Sequence, residues 1–295
     1  MPLAKLEQLL KAGAYLQARR EADRLLLENG LSVQQQGAAL RMACRASLSL
    51  GEFYAAAKLG ERALERAREA GDTETLGRAH FDLGCAQTNI GDTTSAEENL
   101  TAFLSLLPQM SGVERWEGMA HYNLSILHRQ RKQWHTAIQT LERASALFER
   151  NGQQAERAQC ALDQAWCYLM LGAPSLAAPA LAQVEEYLGQ QADDSLSADL
   201  ICAKALYYRQ EGDIAASSRL CQEVFAPGRQ GVTSHHLGEA AWIMGENALD
   251  LGRIEEANLF VNMALDHAAR DNWPSLMNLA CDLRRRVAAR MAAGA

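Results

Sequence analysis

Aromatic side chains make up only 6% of this 295-residue chain, while 48% of it is hydrophobic and dominated by alanine and leucine. That scarcity argues against the β-branched and aromatic chemistry of sheets and for helix, where such side chains lose little entropy. No apolar run is long enough to span a bilayer, and residues 1–30 alternate charge with leucine instead of forming a signal peptide, so no membrane contact and a cytoplasmic location are expected. Seven cysteines (Cys44, Cys85, Cys160, Cys167, Cys202, Cys221 and Cys281) form an odd set without a Cys-x-x-Cys pair. Neither a disulfide framework nor a zinc knuckle follows from them, and they read as small buried apolar residues in a reducing compartment. A dense Lys/Arg stripe is also missing: the net charge is −7, with 11 basic and 8 acidic residues over 1–70 but 10 basic and 16 acidic over 180–295. Affinity for phosphate backbones comes from counterion release, so no nucleic-acid partner is expected. Neither a Walker loop nor a G-x-G-x-x-G turn occurs.

What the chain does have is a period. Turn positions fall at Gly13, Gly51, Gly91, Lys132, Gly172, Gly212 and Gly252, in steps of 38, 40, 41, 40, 40 and 40. Five residues beyond each stands a small side chain: Ala18, Ala56, Ala96, Ala137, Ala177, Ser217 and Ala257. Seven residues before the turn lie Cys44, Gly84, Ser125, Ala165, Ala205 and Gly245, with Leu6 in the first unit. Two helices joined by a short turn, each with a small residue at the contact, approach closely as an antiparallel hairpin. Larger residues two after the turn (Tyr15, Phe53, Trp134, Ile214 and Ile254) would plug the hairpin end. A column twelve after it (Leu25, Ala63, Phe103, Ala144, Val184, Val224 and Ala264) is apolar throughout and should face the next hairpin. One hairpin cannot bury both faces, so neighbours must stack.

These columns resemble the tetratricopeptide repeat, most clearly over 79–108 and 120–148, where Pro108 falls at the family's closing proline. The period of about 40 residues is similar to the longer-helix variety of bacterial regulators and cargo adaptors. The resemblance implies an all-α, right-handed α-solenoid superhelix of seven hairpins plus a C-terminal capping helix, fifteen helices in one domain over 1–295. The repeats are expected at approximately 1–30, 37–70, 77–110, 117–151, 157–190, 196–228 and 237–271, with the cap at approximately 273–292. Asn272 is a candidate cap of that last helix and Pro274 lies in its first turn. Lys132 departs from the turn glycine and Ser217 from alanine. Pro174 suits an early helical position, whereas Pro179 predicts a kink or a late helix start within 174–188.

No enzyme or cofactor is indicated, because no cluster converges on chemistry. His121, His128 and His135 recur at intervals of seven, but the first two occupy packing columns and the third lies beyond the turn. His235 and His236 have no carboxylate or cysteine at suitable spacing for a metal. Cys160 and Cys167 lack an activating histidine. The "RRR" run at 284–286 reads as a solvated helix end.

In the resembled family the first helix of each unit lines the concave face, and positions there carry over by distance from the turn. The implied groove residues are Arg41, Arg45, Asp82, Tyr122, Asn123, Arg129, Asp163, Trp166, Arg209, Trp242 and Glu246. Among them Asn123 would meet a peptide backbone, Arg45 and Arg129 an acidic group through charge-assisted bonds, and Tyr122, Trp166 and Trp242 apolar parts. The family's Lys/Asn carboxylate clamp is not reproduced. The implied function is non-catalytic binding of a peptide or protein partner. Two alternatives are a regulator that senses a peptide or small molecule by changing shape, and a homodimer in which a second copy fills the groove.

Overall fold

In a computed structural model of the chain, residues 3–28, 30–271 and 273–294 are described. Among them are fifteen α-helices, one 3-10 turn at Leu107–Gln109 that contains Pro108, and no strand. The Cα packing divides the chain into two compact units, residues 1–128 and 129–295. The first holds α1 (Ala4–Lys11), α2 (Tyr15–Leu27), α3 (Val33–Ser49), α4 (Phe53–Ala70), α5 (Thr73–Ile90), α6 (Thr93–Leu106) and α7 (Glu114–Gln130) up to His128. The second takes the last residues of α7, then α8 (Trp134–Arg150), α9 (Gln154–Met170), α10 (Pro174–Gln190), α11 (Asp194–Gln210), α12 (Ile214–Phe225), α13 (Ser234–Asp250), α14 (Ile254–Arg270) and α15 (Pro274–Gly294).

The turn column explains the hairpins. Every glycine in it has positive φ, and Lys132 at φ 58° is the only non-glycine residue with positive φ among the described residues. The chain must reverse there within a few residues, and the left-handed conformation does so at low cost only for glycine. The small column five residues on is fully buried, with 0% exposure from Ala18 to Ala257, Ser217 included. At Gly84 the contact is tightest: a Cβ would sit 2.8 Å from Leu100 Cγ and 3.3 Å from the Ala96 carbonyl oxygen. Ser217 is the one hydroxyl in the column, and its Oγ accepts a 2.9 Å bond from Asn247 Nδ2 on α13. The residues two after the turn open the second helix of each pair and are half-buried, while the column twelve after it is buried throughout.

Within each unit a helix packs on the next and the odd-numbered helices also touch one another, α1 on α3 and α3 on α5 in the first, α9 on α11, α11 on α13 and α13 on α15 in the second. No even–even pair does so to the same extent among the described residues. Closer spacing along one row bends each unit toward its odd helices, which therefore form its inner wall. Caps set where those helices begin: Ser32 forms a capping box with Gln35, Asp72 accepts from Thr75 N at 3.0 Å, and Asp193 accepts from Leu196 N at 2.9 Å. From α3 to α13 the odd helices consequently start two to four residues before the expected repeat boundaries.

The late start expected at Pro179 does not occur. α10 begins at Pro174, its first helical residue, and continues unbroken through Pro179 to Gln190. Pro179 is exposed, so the backbone carbonyl it leaves without an amide donor, that of Ser175, is lost on the solvent side of the second turn. Asn272, the expected cap of α15, lies outside the described residues.

Two stability changes of opposite sign follow from these columns. Lys132→Gly relieves the left-handed strain and should raise the unfolding free energy by about 1 kcal/mol. Ala96→Leu forces the α5–α6 contact apart and should lower it by about 1–3 kcal/mol. Urea unfolding followed by circular dichroism measures both; a destabilised Lys132→Gly protein would contradict the strain argument.

Candidate functional site

The charged side chains of the inner walls are tied to one another across successive odd helices. In the first unit Arg45 Nη1 of α3 lies 3.1 Å from Asp82 Oδ1 of α5, and Arg41 Nη1 lies 3.6 Å from Asp82 Oδ2. The Arg45 guanidinium also stacks 4.8 Å over the ring of Trp116 at the start of α7, which meets Phe81 edge-on at 5.0 Å. In the second unit Arg129, in the last turn of α7, pairs with Asp163 of α9 at 2.5 Å. Arg209 of α11 reaches Glu246 of α13 at 3.0 Å and also pairs with Asp250. Arg286 of α15 grips both oxygens of the same Glu246, at 2.7 and 2.9 Å. The acids at the centre of these pairs are nearly sealed, Asp82 at 1%, Asp163 at 5% and Glu246 at 6% exposure. A carboxylate at that depth needs such partners, because removing its only cation leaves a buried charge uncompensated.

The residues expected to bind ligand thus fall into groups. Arg41, Arg45 and Asp82 come together in the first unit. Tyr122 is half-buried on α7, and Asn123 beside it is 9% exposed with its amide donating to the Met119 carbonyl of its own helix at 2.8 Å. Arg129 and Asp163 come together in the second unit, with Trp166 half-buried one turn further along α9. Arg209, Trp242 and Glu246 line one open cavity of about 430 Å³ with Leu169, Met170, Leu206, Gln210 and Asp250. Most of the charge expected to face a ligand is therefore engaged inside the chain. Three buried polar atoms on these walls have no hydrogen-bond partner: Asp82 Oδ2, Asp163 Oδ2 and Trp242 Nε1.

Two features were misread from sequence. Arg286, exposed like Arg284 and Arg285 beside it, also belongs to the ion network at Glu246, because α15 packs on α13. The two histidines do have carboxylates beside them: His236 Nε2 lies 2.8 Å from Asp199 Oδ1 of α11, and His235 Nε2 lies 3.6 Å from Glu239 Oε1, one turn on. His236 Nδ1 accepts the Thr233 backbone N–H at 3.0 Å, which leaves its Nε2–H to donate to Asp199. Glu239 stands four residues after His235 in the sequence and could have been found by helical spacing; Asp199, 37 residues from His236, could not. No group of three or more His, Cys, Asp or Glu side chains among the described residues is arranged to hold a metal ion. Burial pushes the thiols of Cys85, Cys167 and Cys221 up to about 12, the opposite of what a nucleophile needs.

The fold has counterparts among known proteins. Residues 116–189 match a family model described as tetratricopeptide repeat. NprR in complex with its cognate peptide NprX superposes with a TM-score of 0.71 at 14% identity, over 96% of this chain and 82% of that one. A Rap protein complexed with Competence and Sporulation Factor gives 0.63 at 16% identity, over 96% of this chain and 74% of the other. This is a tetratricopeptide-repeat fold. A tetratricopeptide repeat protein from Parabacteroides merdae shares it, with a TM-score of 0.63 at 16% identity over 95% of this chain and 97% of that one. Among curated proteins none matches the sequence. No helix among the described residues is long and apolar enough to cross a membrane.

In this repeat lattice the His235–Glu239 pair makes the second unit sensitive to pH. His235 stacks on Trp273 with ring centroids 3.4 Å apart, and burial pulls its pKa from 6.5 down to about 4, with Asp199 opposing. Burial, reinforced by the charge of Asp199, holds the Glu239 carboxyl well above its usual 4.5. Between about 4 and 6.5 the unfolded chain binds the His235 proton and the folded chain does not, so this residue makes stability rise with pH. Above 4.5 the folded chain keeps the Glu239 proton that the unfolded chain has lost, so this residue makes stability fall with pH. His235→Gln should make the pH slope of stability less positive than in the parent chain and Glu239→Gln should make it more positive, both superposed on the rise that the lowered pKa of His80 contributes. Urea unfolding at three pH values across the window reads the two slopes; identical slopes in both variants would sink the assignment.

Proposed function

We propose that the chain is a non-catalytic, peptide-binding regulator of the cytoplasm that takes a peptide or partner segment against its odd-helix walls. The observation that carries this reading is the open cavity between α9, α11 and α13, where Arg209, Trp242 and Glu246 meet apolar Leu169, Met170 and Leu206. Such a mixture suits an extended peptide: the apolar side chains and the indole supply contact area, and the unpartnered Trp242 N–H supplies a donor for a backbone carbonyl. Trp166 and Asp163 would extend this surface along α9; on the first unit's own wall Tyr122 and Asn123 of α7 would offer a separate contact, Asn123 after releasing the Met119 carbonyl. The wall is held by its own ion pairs before any ligand arrives, so binding costs little ordering of the protein. Two of the similar structures are named with a bound partner, a cognate peptide for NprR and Competence and Sporulation Factor for Rap, which supports a peptide as the ligand class.

Selection of peptides from a random display library on the purified chain, then calorimetric titration of the best one, tests the reading. Trp242→Ala and Trp166→Ala should each weaken binding by about ten-fold, about 1.4 kcal/mol, and Trp242→Phe by less because the ring volume is largely kept while the donor is lost. A selected peptide that binds all three variants as it binds the parent chain would reject this cavity, and failure to select any peptide would reject the function.

A further inference from the structure

Around Trp116 the inner wall of the first unit gathers more guanidiniums than there are carboxylates paired with them among the described residues. Three guanidiniums gather there: Arg41 and Arg45 on α3 and Arg78 on α5, with Arg45 and Arg78 sharing the Trp116 ring at 4.8 and 6.0 Å. Arg78 is answered by Glu74, whose Oε1 accepts from its Nε at 2.8 Å. Asp82 is left to serve both Arg41 and Arg45, and its Oδ1 is taken by Arg45. Arg41 is therefore stranded. Its side chain is only 17% exposed, yet among the described residues none of its N–H groups makes a hydrogen bond, and its one ion-pair contact is the long 3.6 Å approach to Asp82 Oδ2. That oxygen is itself buried and without a hydrogen-bond partner. Burial pulls the Arg41 pKa below its ordinary value, and the like charges of Arg78 and Arg45 add to that pull against Asp82. A guanidinium carries five donors in a planar fork, and leaving them unmet in a crowded wall is costly unless an acceptor is supplied from outside.

We propose that this wall is a carboxylate-binding site, in which an acidic group of a ligand lies beside Arg41 and Arg45, with Trp116 as the flat surface behind it. The charge count selects the group: three arginines against Glu74 and Asp82 leave a surplus of one, which one carboxylate cancels and a phosphate dianion exceeds. Arg41 offers the paired donors that a carboxylate accepts in parallel, while Arg45 is already oriented by Asp82 and the indole. The site rests on the peptide-binding reading for its biological use, since it adds a requirement for an acidic residue in the ligand. Its chemistry is independent of the cavity at Trp242.

The test uses the full chain and three probes: the blocked peptide acetyl-Ala-Glu-Ala-amide, its glutamine counterpart, and inorganic phosphate. The indole N–H cross-peak of Trp116, assigned by its loss in Trp116→Phe, reports occupancy. The acidic peptide should shift that peak saturably and less strongly at high salt, the glutamine peptide should leave it in place, and phosphate should bind at least several-fold more weakly than the acidic peptide. Arg41→Gln should weaken the acidic peptide about ten-fold. Asp82→Asn removes the competing carboxylate and should strengthen it, a gain that loss of structure cannot imitate. Equal shifts with the glutamine peptide, phosphate binding as tightly as the acidic peptide, or affinity unmoved by both substitutions would overturn the proposal. Failure of the selected peptide to depend on Trp242 would count against the cavity and leave this site standing.

Discussion

The fold depends on the close approach of two helices along a column, five residues after each turn, where no side chain is larger than alanine or serine. The column from Ala18 to Ala257 has no solvent exposure, and the opposing glycines at 84 and 245 have no room for a Cβ without displacing a leucine. Interaxial distance follows the residues at the contact, so this column fixes how far apart the odd and even rows stand. Once that spacing is set, the column twelve residues after the turn is carried against the next hairpin, and Phe103 and Val184 become core. The inner wall follows from the same constraint, since each odd helix presents the same face to its successor.

On that wall the ion pairs solve a packing problem before they serve any ligand. Odd helices press together along their length, and a polar face at such an interface must satisfy its charges internally. Arg45 with Asp82, Arg129 with Asp163, and Arg209 and Arg286 with Glu246 do so, each between neighbouring odd helices. A pair of this kind adds little net stability over an apolar contact, but it penalises any register in which the partners do not meet. The walls therefore owe their shape to the alanine column and their alignment to the arginines. What is left over, the Trp242 N–H and the outer oxygens of Asp82 and Asp163, is polar capacity the fold does not consume.

The hairpins were legible in the sequence because their constraint is local and repeats every 40 residues or so. Even Lys132 could be assigned to the turn from its neighbours' spacing, and its backbone adopts the glycine conformation. The wall's residues were legible by position, but their partners were not. Arg286 and Glu246 are 40 residues apart, and nothing in the pattern around an arginine-rich helix end says that one of three consecutive exposed arginines reaches a buried acid. Trp116 was missed for a different reason: capping and helix starts lie a few residues before the repeat boundary, so it fell outside the columns counted back from the turn. The late start expected at Pro179 failed because the rule against helical proline weighs the lost hydrogen bond without its location, and Pro179 lies on the exposed side near the helix start.

The two walls also differ in how they handle excess charge. The first leaves a guanidinium underpaired beside a single carboxylate. The second carries Asp163, Asp199, Glu239, Glu246 and Asp250 against Arg129, Arg209 and Arg286, an excess of acid. Burial and the charge of Asp199 hold the Glu239 carboxyl well above its ordinary value, a response open to a carboxyl group, whose ordinary pKa lies a few units from neutrality. An arginine has no such recourse, because its proton is held too tightly to be shed at any physiological pH. Surplus acid on a repeat wall can thus take up a proton as its pKa rises, whereas surplus arginine persists as a charge that only another anion can neutralise.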